Sequence, residues 1–417
     1  MTTKHSGNIF QKSSTRKIHT TKLGFFQTRR NAYLRCAIMR KVKIPFNKPY
    51  VGPGEVMGVL RAALGGSLAG NGKYTRLCQQ YFETKFGFRK TLLTTSCTDA
   101  LEMSALLAGI SPGDEVIMPS YTFVSTANAF VLRGAKVVFA DTLPHLPLLD
   151  PADVEKRITP RTRAIVVVHY CGMACPMDEF IDLARSRQLL LIEDAAHAYD
   201  SYYKGKPLGS LGHLATFSFH ETKNIISGEG GLLVINDPEL MSKAEIIWEK
   251  GTNRAAFQRG ETDKYTWVEA GSSFLPSDII AAFLYAQLKK ADFIQRKRKQ
   301  IWYSYYQYLK PLHEQGLINL PQVPSYATVN GNFFYFTLKD AAKRDGLLRA
   351  LQAKGIHAVF HYLPLHQSPF YLKHNPAVTL PNTERFATSI VRLPFFVGLK
   401  EKEIQWICHT VTQLLSE

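Results

Sequence analysis

Short apolar runs alternate with longer amphipathic stretches through the first two thirds of the chain. The runs at 91–95, 115–118, 135–140, 164–168 and 189–197, one starting at Leu214 and one at 232–235, predict strands. Between them, residues 55–64, the stretch from Gly70-Asn-Gly72 to Gly87, and residues 96–108, 121–130, 151–158 and 176–187 have helical spacing, with glycines at several ends. Continuous rather than alternating apolar runs mean strands covered on both faces. The predicted fold is α/β, a mainly parallel seven-stranded sheet between helices.

Beyond Gly231 the rhythm changes. Residues 238–250 predict a helix, Gly251-Thr-Asn-Arg254 opens a polar segment reaching Gly271-Ser-Ser273, and 277–309 predicts one long helix. After Pro311, short strands (333–338 and 357–360) mix with helices near 340–353 and 401–415, the pattern of a smaller α+β domain. The expected organisation is a leader at 1–43, a large α/β domain at 44–310 and a small domain at 311–417.

Composition changes this picture in one place. The net charge of +17 suggests an anionic partner, but eleven Lys and Arg and no acid fall in residues 1–43, leaving +6 on the remainder. The leader's Ser, Thr and Arg content fits an organelle transit peptide; alternatively translation starts at Met39, and either way loose packing is expected before residue 40. No run of about 18 uninterrupted apolar residues occurs, so no membrane-spanning helix is expected. The six cysteines show no metal-ligand spacing and no secretory signal precedes them, so reduced thiols, a cytoplasmic setting and no metal site are expected.

In a doubly covered parallel sheet, ligands sit beyond the carboxyl ends of the strands. Asp194 lies at such an end, and Lys223 lies beyond the run from Leu214, before the turn Gly228-Glu-Gly-Gly231. A carboxylate and an amine are thus expected to face one cleft. Ser96-Cys97-Thr98 opens a helix whose free N–H groups suit a phosphate, although taken alone Ser96 and Thr98 read as ordinary caps.

Five segments, in this order, resemble those of one family: Ser96-Cys-Thr-Asp-Ala-Leu101, Pro119-Ser-Tyr-Thr-Phe-Val-Ser-Thr-Ala-Asn128, Glu193-Asp-Ala-Ala-His197, Phe217-Ser-Phe-His-Glu-Thr-Lys-Asn224 with the glycine turn, and His361-Tyr-Leu-Pro-Leu-His366. The chain is similar to the fold-type I, pyridoxal 5′-phosphate-dependent sugar aminotransferases of the DegT/StrS group. The resemblance implies that Lys223 binds the cofactor aldehyde and moves protons and that Asp194 pairs with the ring nitrogen. It further places His197 on the phenolic oxygen, Phe123 on the ring face, and Cys97, Thr98 and Ser218 around the phosphate. It also implies a homodimer with shared active sites, to which Asn253 and Arg254 would contribute across the interface, Asn253 toward cofactor and Arg254 toward substrate. His361, Tyr362 and His366 are the remaining substrate candidates, with the Gly70-Asn-Gly72 loop as another.

The segments 119–136, 249–254 and 263–267 most resemble a subgroup acting in surface-polysaccharide assembly, in which L-glutamate is the amino donor and dTDP-4-keto-6-deoxy-D-glucose the acceptor. Other dTDP- or UDP-linked 3- or 4-keto sugars stay open. Two departures stand out: Cys97-Thr98 where many relatives have Gly-Thr, and Gly271-Ser-Ser273 where many have an Asn. Two other readings compete. A dehydratase of the same fold would carry a histidine in place of Lys223, and a nucleic-acid-binding regulator would act through the basic leader.

Overall fold

The computed structural model describes residues 43–66 and 68–416. The leader, apart from Lys43, lies outside the described residues, and so do the readings made of it.

The strands are β1 (Lys90–Thr94), β2 (Glu115–Pro119), β3 (Lys136–Ala140), β4 (Thr162–Val168), β5 (Leu190–Asp194), a two-residue ribbon of β6 (Tyr202–Tyr203) and β7 (Lys206–Pro207), β8 (Leu214–Ser218) and β9 (Gly231–Ile235). Seven of them form one sheet in the order β1-β9-β8-β5-β4-β2-β3. The pairs β8–β5, β5–β4, β4–β2 and β2–β3 are parallel, and β9 runs antiparallel to both its neighbours. Alternate strand residues enter two separate cores: Ile165, Val167 and Leu191 on one face, Ala164, Val166 and Ile192 on the other. Burial on both faces is why the runs read as continuously apolar.

This topology puts chemistry on one edge. In register, Val168 stands beside Asp194, Asp194 beside Thr216, and Ser218 beside Gly231, which also faces Thr94. The carboxyl ends of β1, β4, β5 and β8 therefore share an edge with the amino end of β9. Into that edge runs the helix Cys97–Leu107, whose N-cap Ser96 accepts the Asp99 N–H at 3.1 Å. Gly231 makes the approach possible, because a Cβ there would overlap the Ser96 carbonyl and the Cys97 amide.

A second sheet, of β10 (Ile318–Asn319), β11 (Tyr335–Leu338) and β12 (Ile390–Arg392), is antiparallel throughout. The described residues after Lys43 belong to a single compact unit. The long helix expected at 277–309 is two, Asp278–Leu288 and Ala291–Glu314. Between them Lys290 leaves helical geometry and sets Nζ 2.8 Å from both oxygens of the buried Glu55, a pairing the local pattern does not reveal. The second helix also runs through Pro311, since burial of Leu309 and Leu312 offsets the backbone bond that a proline forfeits.

Residues 357–360 do not form the expected strand. Ile356 bridges to Ile44 and Val359 to Arg392, so the segment changes partner within three residues and builds no ladder. Among the described residues no helix is long and apolar enough to cross a membrane. Gly231→Ala is expected to destabilise the fold by about 1–3 kcal/mol through overpacking against Ser96. An unchanged thermal midpoint would contradict that close approach.

Candidate active site

At the shared strand edge lies a cavity of about 420 Å³. Residues singled out in the sequence line it: Ser96, Cys97, Thr98, Phe123, Asp194, His197, Ser218 and Lys223, together with His361 and Tyr362.

Asp194 and Glu193 show how strand alternation divides two adjacent acids. Glu193, fully buried, accepts the N–H groups of Gly209, Leu211 and Gly212 at 2.7–2.9 Å and faces His169 Nε2 at 3.0 Å, so it pins a loop. Asp194 points into the cavity, where Thr126 Oγ1 donates to it at 2.7 Å and the Ala196 N–H at 3.1 Å. Thr122 in turn lies 2.8 Å from the Thr126 hydroxyl and must be its donor, because Thr126 spends its own proton on Asp194. Burial pushes the Asp194 carboxyl above its ordinary range, against the downward pull of Thr126, Ala196 and Lys223.

Lys223 is carried by the loop between β8 and β9. That loop is closed by Phe219 N–H to Gly230 O at 2.8 Å and Glu221 N–H to Gly228 O at 3.0 Å, and Gly228 supplies a left-handed turn at φ +85°. Its neighbour Asn224 is buried and fully used: Nδ2 donates to Gln295 Oε1 at 2.7 Å and Asn330 O at 2.9 Å, and Oδ1 accepts from Asn332 Nδ2 at 2.5 Å. Asn330 Nδ2 donates to the His197 and Tyr199 carbonyls at 2.6 and 3.0 Å. One knot of amides thus fixes Lys223 and His197 relative to each other. Burial lowers the Lys223 amine to about 8, the Cys97 and Asp194 sides pulling it up and Arg392 pushing it down.

His197 is buried, and its Nδ1 has no partner among the described residues. Burial first, then the charges of Lys223 and Arg392, push its pKa well down, so the ring is neutral. An unpaired buried nitrogen is costly unless a ligand completes it. Phe123 is 56% exposed in the cavity wall, a platform for a planar group rather than a core residue. At the other side Cys97 and Thr98 open their helix, where the first amides have no acceptor within the helix, and Ser218 stands close by.

Three candidates fall elsewhere. His366 is 1% exposed and off the cavity wall, with Nδ1 2.7 Å from Ser120 Oγ and Nε2 3.2 Å from Glu384, so it braces the fold. Asn253 clamps its own loop, donating to Lys264 O at 2.9 Å and accepting the Thr266 N–H at 2.8 Å. Arg254 Nε lies 3.6 Å from Glu249, and neither residue lines this chain's cavity. The Gly70-Asn-Gly72 loop is also off the wall, with Asn71 donating to Glu249 at 2.9 Å. Sequence reasoning missed Thr126, Asn330, Asn332 and Arg392. Only Arg392 left a signal, a lone charge in the apolar run 390–396.

Residues 54–412 match the model of the DegT/DnrJ/EryC1/StrS aminotransferase family. The chain belongs to this family. Solved structures agree in fold. An aminotransferase, TlmJ, from Streptoalloteichus hindustanus is 30% identical, with 89% of this chain and 99% of that one covered at a TM-score of 0.83. DesV from S. venezuelae is 29% identical over 90% and 99% at 0.81. Helicobacter pylori PseC, an aminotransferase involved in the biosynthesis of pseudoaminic acid, is 26% identical over 89% and 99% at 0.80.

A lysine amine lowered to about 8 is substantially neutral at pH 8, where an ordinary lysine is almost wholly charged. Modification of Lys223 by a small amine-directed acylating reagent, followed by peptide mass spectrometry, is therefore expected to rise with a midpoint near pH 8. A midpoint above 10 would contradict the cavity's effect on the amine.

Proposed function

We propose that this aminotransferase uses pyridoxal 5′-phosphate to move an amino group from L-glutamate to a nucleotide-linked keto sugar. The preferred acceptor is dTDP-4-keto-6-deoxy-D-glucose, giving dTDP-4-amino-4,6-dideoxy-D-galactose. The observation that carries the reading is the pairing, within one cavity, of a half-buried lysine whose amine is lowered to about 8 and a buried, hydrogen-bonded carboxylate. The cavity is of the size that holds a cofactor with part of a substrate.

The residues present fit the cofactor. The unpaired His197 Nδ1, the exposed Phe123 ring and the helix start at Cys97 would together suit a planar, phosphorylated ligand. When bound, pyridoxal phosphate supplies an aldehyde that takes up amino groups and a ring that accepts electrons. Lys223 would hold that aldehyde and, once released, carry a proton on Nζ to and from the reacting carbon. Its lowered pKa makes a neutral amine available for both tasks. Asp194 would keep the ring nitrogen protonated, and the hydrogen bond from Thr126 would hold the carboxylate in place for that role. The Cys97 and Thr98 amides with Ser218 would take the phosphate.

The sugar-nucleotide acceptor is supported by the segments 119–136, 249–254 and 263–267, and by PseC's role in pseudoaminic acid biosynthesis. Other dTDP- or UDP-linked keto sugars use the same amine chemistry and are resolved by substrate profiling. His361 and Tyr362 line the cavity where the sugar would lie. A homodimer that brings Asn253 and Arg254 to the neighbouring cavity suits their distance from this chain's own.

Purified protein reconstituted with pyridoxal phosphate is expected to show a visible absorbance band that L-glutamate bleaches. Lys223→Ala is expected to lose the response, and Asp194→Asn to lower turnover on the order of 10² to 10³-fold. Wild-type protein with neither band nor response would overturn the reading.

A further inference from the structure

A second cavity, of about 260 Å³, opens beside the amino end of β1 and shares no lining residue with the cofactor cavity. Several elements build its wall. Arg76 and Gln79 come from the helix Lys73–Phe86, Lys90 from β1, Glu245 and Trp248 from the helix Met241–Trp248, and Arg259 caps the helix Arg254–Gln258. Asn71, of the loop that falls outside the cofactor cavity, lies on this wall as well.

The wall sets three cations against one carboxylate. Both oxygens of Glu245 are taken, Oε1 by Lys90 at 2.7 Å and Oε2 by Arg259 at 2.9 Å. Arg259 also meets Glu261, off the wall, at 2.6 Å. Arg76 is left without an acid among the described residues; Nη1 donates to the Asn71 carbonyl at 2.7 Å, and no other bond occupies its fork. Positive charge thus converges on one concavity from the helix Lys73–Phe86, from β1 and from the end of the helix Arg254–Gln258.

Gln79 adds the opposite requirement. Its Nε2 donates to the Thr91 carbonyl at 2.9 Å, which fixes the amide, while Oε1 is buried and has no partner among the described residues. That oxygen needs a donor. A ligand that satisfies this wall is therefore anionic at one end and carries an N–H or O–H at another point. Trp248 and Leu92 make the remaining surface apolar, because the indole N–H is committed to the Leu93 carbonyl at 2.7 Å. A phosphate monoester, with up to two charges and three acceptor oxygens, can meet groups arriving from three elements, where a carboxylate offers two oxygens. The volume leaves room for an organic part against the apolar side.

We propose that this second cavity binds a phosphate monoester, with the phosphate among Arg76, Lys90 and Arg259 and a donor of the ligand on Gln79 Oε1. Occupancy ties the helix Lys73–Phe86 to the helix Arg254–Gln258 and so steadies the start of the polar segment that carries Asn253 and Arg254. The site does not depend on the amino-transfer reading.

The test is hydrogen exchange read by mass spectrometry on full-length wild type and Arg76→Met, both loaded with pyridoxal phosphate so that the Cys97 seat is filled. Thymidine 5′-monophosphate, inorganic phosphate and thymidine are the probes. In wild type the monophosphate is expected to slow exchange in peptides covering 71–79 and 254–261. The concentration that gives half of this effect is expected to rise at least about tenfold in Arg76→Met, the loss of one charge-assisted contact. Arg76→Lys, which keeps the charge without the fork, is expected to fall between them and carries the comparison if Arg76→Met proves insoluble. Equal protection by inorganic phosphate supports the site with free phosphate as its ligand; protection at lower concentration by the monophosphate supports it with a nucleotide. Protection by thymidine equal to that of its monophosphate, protection unchanged in Arg76→Met, or none in these peptides at millimolar ligand overturns the proposal. Arg76→Met is expected to keep the absorbance response to glutamate, so loss of that response in wild type counts against amino transfer alone.

Discussion

The site depends on a knot of buried amides behind the cavity, of which Asn332 reaches the wall. Asn224 follows the lysine in sequence, and its side chain joins Gln295, Asn330 and Asn332, while Asn330 reaches back to the His197 carbonyl. These groups come from a loop of the large sheet, a long helix and the segment entering β11. Each net hydrogen bond contributes only about 1 kcal/mol, but a member left buried and unpaired costs about 1–3 kcal/mol. The network is therefore close to all-or-none, and a satisfied network holds the lysine and histidine in one geometry.

Upon that frame the electrostatics are arranged by burial. Desolvation pushes Asp194 up and Lys223 down, each toward its neutral form, and their mutual attraction works against both shifts. Thr126 and the Ala196 amide keep the carboxylate hydrogen-bonded, while Arg392 adds a positive field that favours a neutral Lys223. The result is an amine available near neutral pH beside an acid suited to face a cation.

Much of this was legible because a parallel sheet converts sequence order into a common edge. Strand ends at Asp194 and Ser218, and the helix start after β1, had to arrive on the same side, so residues far apart in sequence meet in one cavity. What was not legible rests on long-range side-chain choices. Thr126 reaches Asp194 across 68 positions, and Asn330 reaches His197 across 133. His366 sits in a recognisable segment, but its ring is claimed by Ser120, 246 positions away. The break at Lys290 follows the same logic, since its partner Glu55 is 235 positions distant.

The central claim, that Lys223 is the residue this frame presents to the cofactor, is tested most directly by borohydride fixation. Full-length protein mixed with pyridoxal phosphate, reduced, digested and mapped by mass spectrometry should carry the reduced pyridoxyl group on the Lys223 peptide at about one per chain. Label spread over surface lysines, or concentrated on another lysine with Lys223 unmodified, would contradict the account.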